Sequence, residues 1–451
     1  MSITRHIREI PLKLRQAASK DLSIEISGNS RYTQKRDYLD VYHVHEGVGY
    51  FPYHYARVGL ALTPRLRKDY PPADIVYKVE EFPLREEQLN VKRLAIDALN
   101  KEGSCILSLY TGFGKTCLSI YLASKLKMKT LYVNNRLAVL DQIVESVRKF
   151  SRSKVQLLTA KSTLDPGADF YVVNAINVPK FGPGTFSCVG TLVVDEVHCM
   201  LAQSLSRALH HVTPRYLIGL SATPYRDDGL NGLFDLYFGP EKIHIPLHRR
   251  HKVYKMDTPL EPPVEFTDGG QLNWGAVLKF QAENEARNEK IVEILRKFAG
   301  RVFMVICKRV SQIKYLEDRL KELGESVDAL YANKKKFDRG ARILIGTGQK
   351  LGVGFDHPRV NALVLAADFE AYFIQTLGRS MRTPEVEPII FDLVDKNGLL
   401  NKHWKTRERV YKEHGGEISG LGWEDLAERD LPARAGKKKE KKEKGPTAIL
   451  L

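Results

Sequence analysis

Long apolar runs are missing from this sequence: no stretch reaches the ~18 residues that a membrane-crossing helix requires, so no membrane partner is expected. Cysteine is scarce. The five residues Cys105, Cys117, Cys188, Cys199 and Cys307 are odd in number, show no C-x-x-C spacing and lie mostly in apolar runs. That excludes a disulfide framework or a cysteine zinc site and reads as reduced core thiols in a cytosolic protein. The N-terminal "MSITRHIREIPLKLRQ" lacks the apolar segment of a secretory signal, although its basic, amphipathic character leaves a transit peptide open. Acidic residues are in deficit, 54 Asp and Glu against 70 Lys and Arg, for a formal charge of +16. This is the footprint of a polyanion partner such as nucleic acid, or of a solvated basic surface.

What is present is a globular balance, 43% apolar and 27% charged, in 451 residues, enough for roughly three domains. Residues 1–75 are rich in Tyr, His, Arg and Val, alternate in "YLDVYHVHEGVGYFPYHYARVGL" and close on "DYPPAD", which reads as a small, β-rich N-terminal accessory domain. Over 76–247, "CILSL", "TLYVN", "VQLLT", "FYVVN", "TLVVD" and "RYLIGLS" alternate with helical patterns, the rhythm of a parallel α/β sheet. A Pro- and Gly-rich passage places a connector at 248–280. A second α/β series over 281–400 carries "VFMVIC", "ARILIGT", "NALVLAA" and "PIIFDLV", with Ser311 as a helix cap and Gly324 as a helix stop. Residues 401–451 form a polar segment ending in a lysine-rich tail, "RAGKKKEKKEK".

Four motifs carry chemistry. In "LSLYTGFGKTCLSIYL" (Leu107–Leu122), Gly112 and Gly114 let the backbone turn N–H groups toward phosphate, Lys115 adds charge and Thr116 offers a hydroxyl to Mg²⁺. A strict P-loop has glycine where Leu109 stands, and a plain strand-to-helix turn is the competing reading. "TLVVDEVHC" delivers Asp195 and Glu196 to a strand's carboxyl end, where Asp195 suits Mg²⁺ and Glu196 suits activation of water, or both form an acidic turn. "GLSATPYRDDG" holds Ser221 and Thr223. "QTLGRSMRT" sets Arg379 and Arg382 three apart, on one helical face, either solvated or aimed at a γ phosphate.

Taken in order, these motifs resemble a superfamily 2 helicase or translocase over about 85–395. "LREEQ" resembles the adenine motif, implying Gln88 at the base edge with Arg85 nearby. "LYTGFGKT" matches motif I, implying nucleotide contacts from Thr111, Gly112, Phe113, Gly114, Lys115 and Thr116. "VNNRLAVLDQ" resembles motif Ia and implies a nucleic-acid contact by Arg136, with Asn134 and Asn135 in place of the usual Pro-Thr. "VVNAINV" places Asn174 where motif Ib has threonine, and Thr347 of "GTGQKLGVGFDHP", the motif V match, completes the implied strand contacts. That motif also implies Gly354 and Asp356 at the nucleotide, and "QTLGRSMR", motif VI, implies Gln375, Arg379 and Arg382 in catalysis. His198 and Ser221 with Thr223 would couple the nucleotide site to motif III. Only the stretch Tyr331–Gly340 separates two strands of the second series, too short for the usual helix, so Lys334, Lys335 and Lys336 are expected on an exposed loop.

The fold so implied is α/β, with two RecA-like parallel-sheet lobes in tandem behind the β-rich N-terminal domain. "DEVH", "SATPYRDDG" and "RNEKIVEIL" resemble the DNA-acting RecG-like and XPB-like branch, and the compact size is most similar to phage UvsW-type branch-migration helicases. The resemblance implies ATP and Mg²⁺ as cofactors and forked or branched DNA as partner, in replication, recombination or repair, with a monomer as the working expectation. An RNA helicase, a restriction-system translocase subunit and a non-enzymatic junction-binding protein are the alternatives. The last would lack one of Lys115, Asp195, Glu196 or Arg382, and all four are present.

Overall fold

Strands that are apolar at every position need cover on both faces, and a parallel sheet between two layers supplies it. The computed structural model describes residues 1–26, 37–182, 184–201, 209–222, 230–266, 273–332, 334, 338, 340–352, 357, 359–369, 377–378, 386–419 and 449–450. The chain divides into two compact units, 1–246 with 444–451, and 247–443.

The first unit begins with β1 (Ser2–His6), β2 (Ser23–Ile26), β3 (Asp37–Asp40), β4 (His43–His45) and β5 (Val48–Pro52). β1, β5 and β4 form an antiparallel sheet and β2 pairs with β3. The helices Leu12–Asp21 and Tyr53–Val58 share this region, so it is mixed in structure. There follow β6 (Ser104–Leu109), β7 (Thr130–Asn134), β8 (Val155–Leu158), β9 (Phe170–Asn174), β10 (Thr191–Asp195), β11 (Tyr216–Ser221) and β12 (Lys242–Ile245), parallel in the order β12-β6-β11-β10-β7-β9-β8.

The two-residue period of these strands sorts their side chains into two cores. Tyr132, Val172, Val193 and Ile218 pack with Val91 and Leu99, Leu118 and Leu122, and Ile143 and Val147 from three helices. The alternate residues Leu131, Val133, Leu192, Val194 and Leu217 pack with Ile3, Ile10, Phe51, Tyr53 and Ala56. The N-terminal region therefore roofs one face of the first sheet rather than forming a bead beside it. At about 1.5–3 kcal/mol per buried large apolar side chain, removing it would expose the lobe's core.

In the second unit β13 (His251–Thr258), β14 (Phe303–Cys307), β15 (Val327–Leu330), β16 (Ile343–Thr347), β17 (Ala362–Leu365), β18 (Ile389–Asp395) and β19 (Gly416–Ser419) are all parallel, in the order β15-β16-β14-β17-β18-β13-β19. This corrects two expectations. The passage 248–280 is not a connector: β13 lies between β18 and β19, its charged residues hiding a core pattern at Val253, Tyr254 and Met256. The segment after 400 belongs to the same fold, through the helix Gly398–Glu413 and β19. Ser311 also proves to lie inside the helix Val310–Glu322, which Arg309 precedes without a side-chain cap, while Gly324 takes the left-handed φ of +77° beyond the helix end. Among the described residues of 331–340 there is no helix; Lys334 is exposed and pairs with Asp328, and Lys335 and Lys336 lie outside the described residues. β20 (Ile449–Leu450) returns to the first unit and pairs antiparallel with β12.

The last residues of β13 and β18 meet on a buried charge. Asp395 accepts from Thr258 Oγ1 at 2.6 Å, Gln281 Nε2 at 2.6 Å and Arg287 Nε at 2.9 Å, with Arg287 fully buried. Arg287→Met would strand the carboxylate, and a loss of about 3–5 kcal/mol is expected in urea unfolding. No helix of the described residues is long and apolar enough to cross a membrane.

Candidate nucleotide site

β6 ends at Leu109 and the helix Lys115–Leu126 begins six residues later, so the intervening loop must reverse tightly. Gly112 and Gly114 supply the turn at φ +95° and +97°, a region that side chains enter only with strain. At Gly114 a Cβ would also fall 2.6 Å from Gln88 Nε2. Lys115 Nζ donates to the Leu109 carbonyl at 2.8 Å, which folds the ammonium back over the loop. Thr116 follows in the first helical turn, partly buried, and Thr111 is likewise half-buried. Phe113 is fully buried and its N–H donates to Tyr110 O at 3.2 Å, so its side chain anchors the loop. The helix adds the positive end of its dipole, completing a cradle for anionic oxygens.

Gln88, implied by its motif at the base edge, is turned to the phosphate loop in this structure. It is 4% exposed; its Nε2 donates to Phe113 O at 2.8 Å and its Oε1 accepts the Arg85 N–H at 2.9 Å. The Arg85 guanidinium donates to the same Phe113 carbonyl and lies over the Phe113 ring. The pair therefore braces the phosphate loop.

The acidic half of the site stands at the carboxyl edge of β10. Asp195 accepts from the Glu196 N–H at 3.0 Å through Oδ1 and from Asn134 Nδ2 at 3.1 Å through Oδ2. Burial and the neighbouring Glu196 charge push its carboxyl up to about 7, against the pull of Lys115 and Asn134. Its neutral form is the one the fold favours, so this group's contribution to stability is full below the ordinary carboxylate range and is lost as pH rises through about 7. Glu196 adopts φ 50°, ψ 51°, a left-handed conformation costly for a residue with a Cβ, which turns its side chain away from the strand. Its Oε2 is buried without a hydrogen-bond donor and lies 3.5 Å from His198 Nδ1, the nitrogen that also meets Ser221 Oγ at 3.0 Å. Tyr132 sits between the two halves: burial and the charges of Asp195 and Glu196 hold its phenol well above the usual value, with the Thr116 and Ser119 hydroxyls opposing. A carboxyl raised by burial and a like charge, beside an orphaned carboxylate oxygen, is a donor set that suits a hard dication, so Mg²⁺ fits here.

Known proteins resemble this chain. Residues 81–226 match the family model described as type III restriction enzyme, res subunit. The chain is 39% identical to "Putative helicase 161L" of Invertebrate iridescent virus 6, over 93% of this chain and 99% of that one. The chain belongs to the superfamily 2 helicases. It is 21% identical to the "DNA 3'-5' translocase XPB2" of Sulfurisphaera tokodaii over 73% of this chain and 86% of that one. Its fold is similar to that of S. cerevisiae Dbp5 bound to RNA and ADP BeF3, with a TM-score of 0.53 at 14% identity, covering 77% of this chain and 96% of that one.

This is accordingly an ATP-dependent enzyme, and the remaining motif residues can be placed on a helicase. The structure brings Lys115, Thr116, Asp195, Glu196, His198 and Ser221 to the carboxyl edge of one sheet. Arg136 is partly exposed at the start of the helix Leu137–Phe150. Thr347 ends β16, partly buried, its Oγ1 accepting the Lys350 N–H at 3.4 Å. Asn174 is corrected: at 3% exposure its Oδ1 caps the next turn through Ile176 N–H at 3.1 Å, leaving its side chain no surface to offer a strand. Thr223, Gly354, Asp356, Gln375, Arg379 and Arg382 lie outside the described residues. The residue the motifs did not assign is Asn134, which donates to the Asp195 carboxylate. Its only signal was an unusual asparagine at a strand end, and the neighbouring strand became known only with the sheet order.

Proposed function

We propose that this helicase uses ATP hydrolysis to translocate on DNA and remodel forks and junctions, including branch migration, in the cytoplasm of an infected cell. The observation that carries the substrate class is a ring platform on the small antiparallel sheet. His43 and Tyr50 face one another across β4 and β5, with His43 and His45 exposed, and His211 packs edge-on to all three at 4.9–6.3 Å. Rings presented at a protein surface suit stacking on bases freed at a branch point. The XPB2 relative, named as a DNA translocase, supports DNA over RNA. The RNA reading has its own support in "Putative ATP-dependent RNA helicase L396" of Acanthamoeba polyphaga mimivirus, 23% identical over 76% of this chain and 70% of that one, so the ring platform is what tips the proposal to DNA.

In this reading the loop Thr111–Thr116 and Lys115 bind the phosphates, Asp195 and Thr116 hold Mg²⁺, and Glu196 takes the proton of the attacking water. Bound Mg²⁺ would supply charge neutralisation at the β and γ phosphates. Arg379 and Arg382 would add positive charge as the γ phosphate leaves, Gln375 would offer a neutral amide hydrogen bond, and Gly354 with Asp356 would contact the nucleotide. The test is the ATPase rate on linear, forked, three-way and four-way DNA and on matched RNA. Branched DNA should stimulate most; equal or greater stimulation by RNA would select the RNA helicase instead.

Two narrower outcomes follow. His43→Ala/His45→Ala is expected to weaken fork binding about 10-fold while sparing linear duplex, at about 1–3 kcal/mol per stacked base, as read by fluorescence anisotropy. Replacing Lys437, Lys438, Lys439, Lys441 and Lys442 with Gln should flatten the slope of log affinity against log salt, by up to ~0.9 per lost phosphate contact, equally for all substrates. Substitution is the better instrument than deletion, because β20 beyond those lysines pairs with β12.

A further inference from the structure

Two neighbouring parallel strands of the first sheet end in asparagine at the same register, Asn134 on β7 opposite Asn174 on β9. Each uses Oδ1 to accept the N–H two residues ahead, Asn134 from Arg136 at 2.8 Å and Asn174 from Ile176 at 3.1 Å. Both side chains are buried, at 1% and 3% exposure. They differ in one bond. Asn134 also donates from Nδ2 to Asp195 Oδ2 at 3.1 Å, across to β10. One rigid amide therefore joins the carboxylate of the nucleotide site to the backbone turn that carries Arg136.

We propose that Asn134 is a positioning residue that relays the state of the nucleotide site to the nucleic-acid grip at Arg136. The inference rests on the helicase reading given above. Its physics is that of a planar amide with both ends committed in a buried site. A shift of Asp195 Oδ2 toward a bound cation either pulls Nδ2 along or breaks the bond. Because Oδ1 is fixed to the same amide plane, the Arg136 N–H must follow or lose its acceptor. The Arg136 N–H is half-buried, and losing its acceptor forfeits a hydrogen bond worth about 0.5–1.5 kcal/mol, so movement of the turn is the less costly response. The relay is reciprocal: nucleic acid that draws Arg136 outward should in turn reorient Asp195, since coupling between two sites acts equally in both directions. A capping asparagine alone would need no second partner, and Asn174 shows what such a residue looks like.

The experiment measures binding, not turnover. A fluorescein-labelled DNA fork and an RNA fork of the same sequence are titrated with the full chain, with and without Mg²⁺ and ADP–beryllium fluoride. The ratio of the two affinities is the coupling, expected to lie in the ~5–150-fold range typical of linked sites. Asn134→Asp keeps the acceptor for Arg136 and adds a charge; Asn134→Ala keeps neither acceptor nor charge. The one feature both lose is the donor to Asp195, so both should bring the ratio below about 3-fold, whereas Asn174→Ala should keep the wild-type ratio. Should Asn134→Ala fail to fold, as judged by thermal melting, Asn134→Asp decides: a cap-only role leaves it with wild-type coupling, and that result overturns the relay. A wild-type ratio near 1 on both nucleic acids overturns it as well. Coupling seen on RNA but not on DNA tests the relay equally and counts against the DNA reading alone.

Discussion

Glu196→Gln is expected to abolish ATP turnover while ATP still binds, whereas Lys115→Ala is expected to lose both. Among the described residues Glu196 is the acidic group next to Asp195 at the end of β10, and its Oε2 makes no hydrogen bond, with His198 Nδ1 3.5 Å away. Removing a general base typically costs ~10²–10⁴-fold in rate, and the glutamine leaves the loop, Lys115 and Asp195 intact. Phosphate release in steady state and titration with a fluorescent ATP analogue separate the two effects. Near-normal hydrolysis would remove Glu196 from the reaction. The same substitution has a second, opposite signature. It deletes a like charge next to Asp195, so in chelator at pH 7.5 the variant should melt a few degrees above wild type. That gain should shrink toward pH 4, where the Asp195 carboxyl is neutral in both proteins. A variant that is dead and yet more stable is hard to explain as misfolded.

Arg382→Ala is expected to lower the catalytic rate by ~10³-fold or more with little change in ATP affinity, because an arginine finger acts on charge that develops in the transition state. The prediction depends on "QTLGRSMR" following the nucleotide-binding lobe in sequence, as superfamily 2 membership requires, and single-turnover hydrolysis against nucleotide binding is its measure. A pure affinity defect would place Arg382 in ground-state binding instead. Arg379→Ala serves as the comparison, since the two arginines lie three apart in sequence and need not contribute equally.

Much of this helicase was written in short segments. Continuous apolar runs such as "TLVVD" and "RYLIGLS" specify buried parallel strands, because no other arrangement covers both faces of a strand, and they did become β10 and β11. The glycines of "TGFGKT" specify a left-handed turn by sterics alone, and the turn is there. β13 was obscured because its half-buried lysines and exposed aspartate break the apolar run, and strand pairing with β18, over 130 residues away in sequence, is invisible locally. The same limit governs the site. Local chemistry determined that Lys115, Asp195 and Glu196 could serve a nucleotide, since backbone freedom, charge and strand position are properties of neighbours in sequence. Only the tertiary structure decided that Gln88 braces Phe113, that Asn134 rather than Asn174 touches Asp195, and that the N-terminal residues roof the first sheet. Those outcomes depend on which strands lie side by side and which face each side chain meets, and a sheet order is fixed by the packing of the whole core, not by any one segment of it.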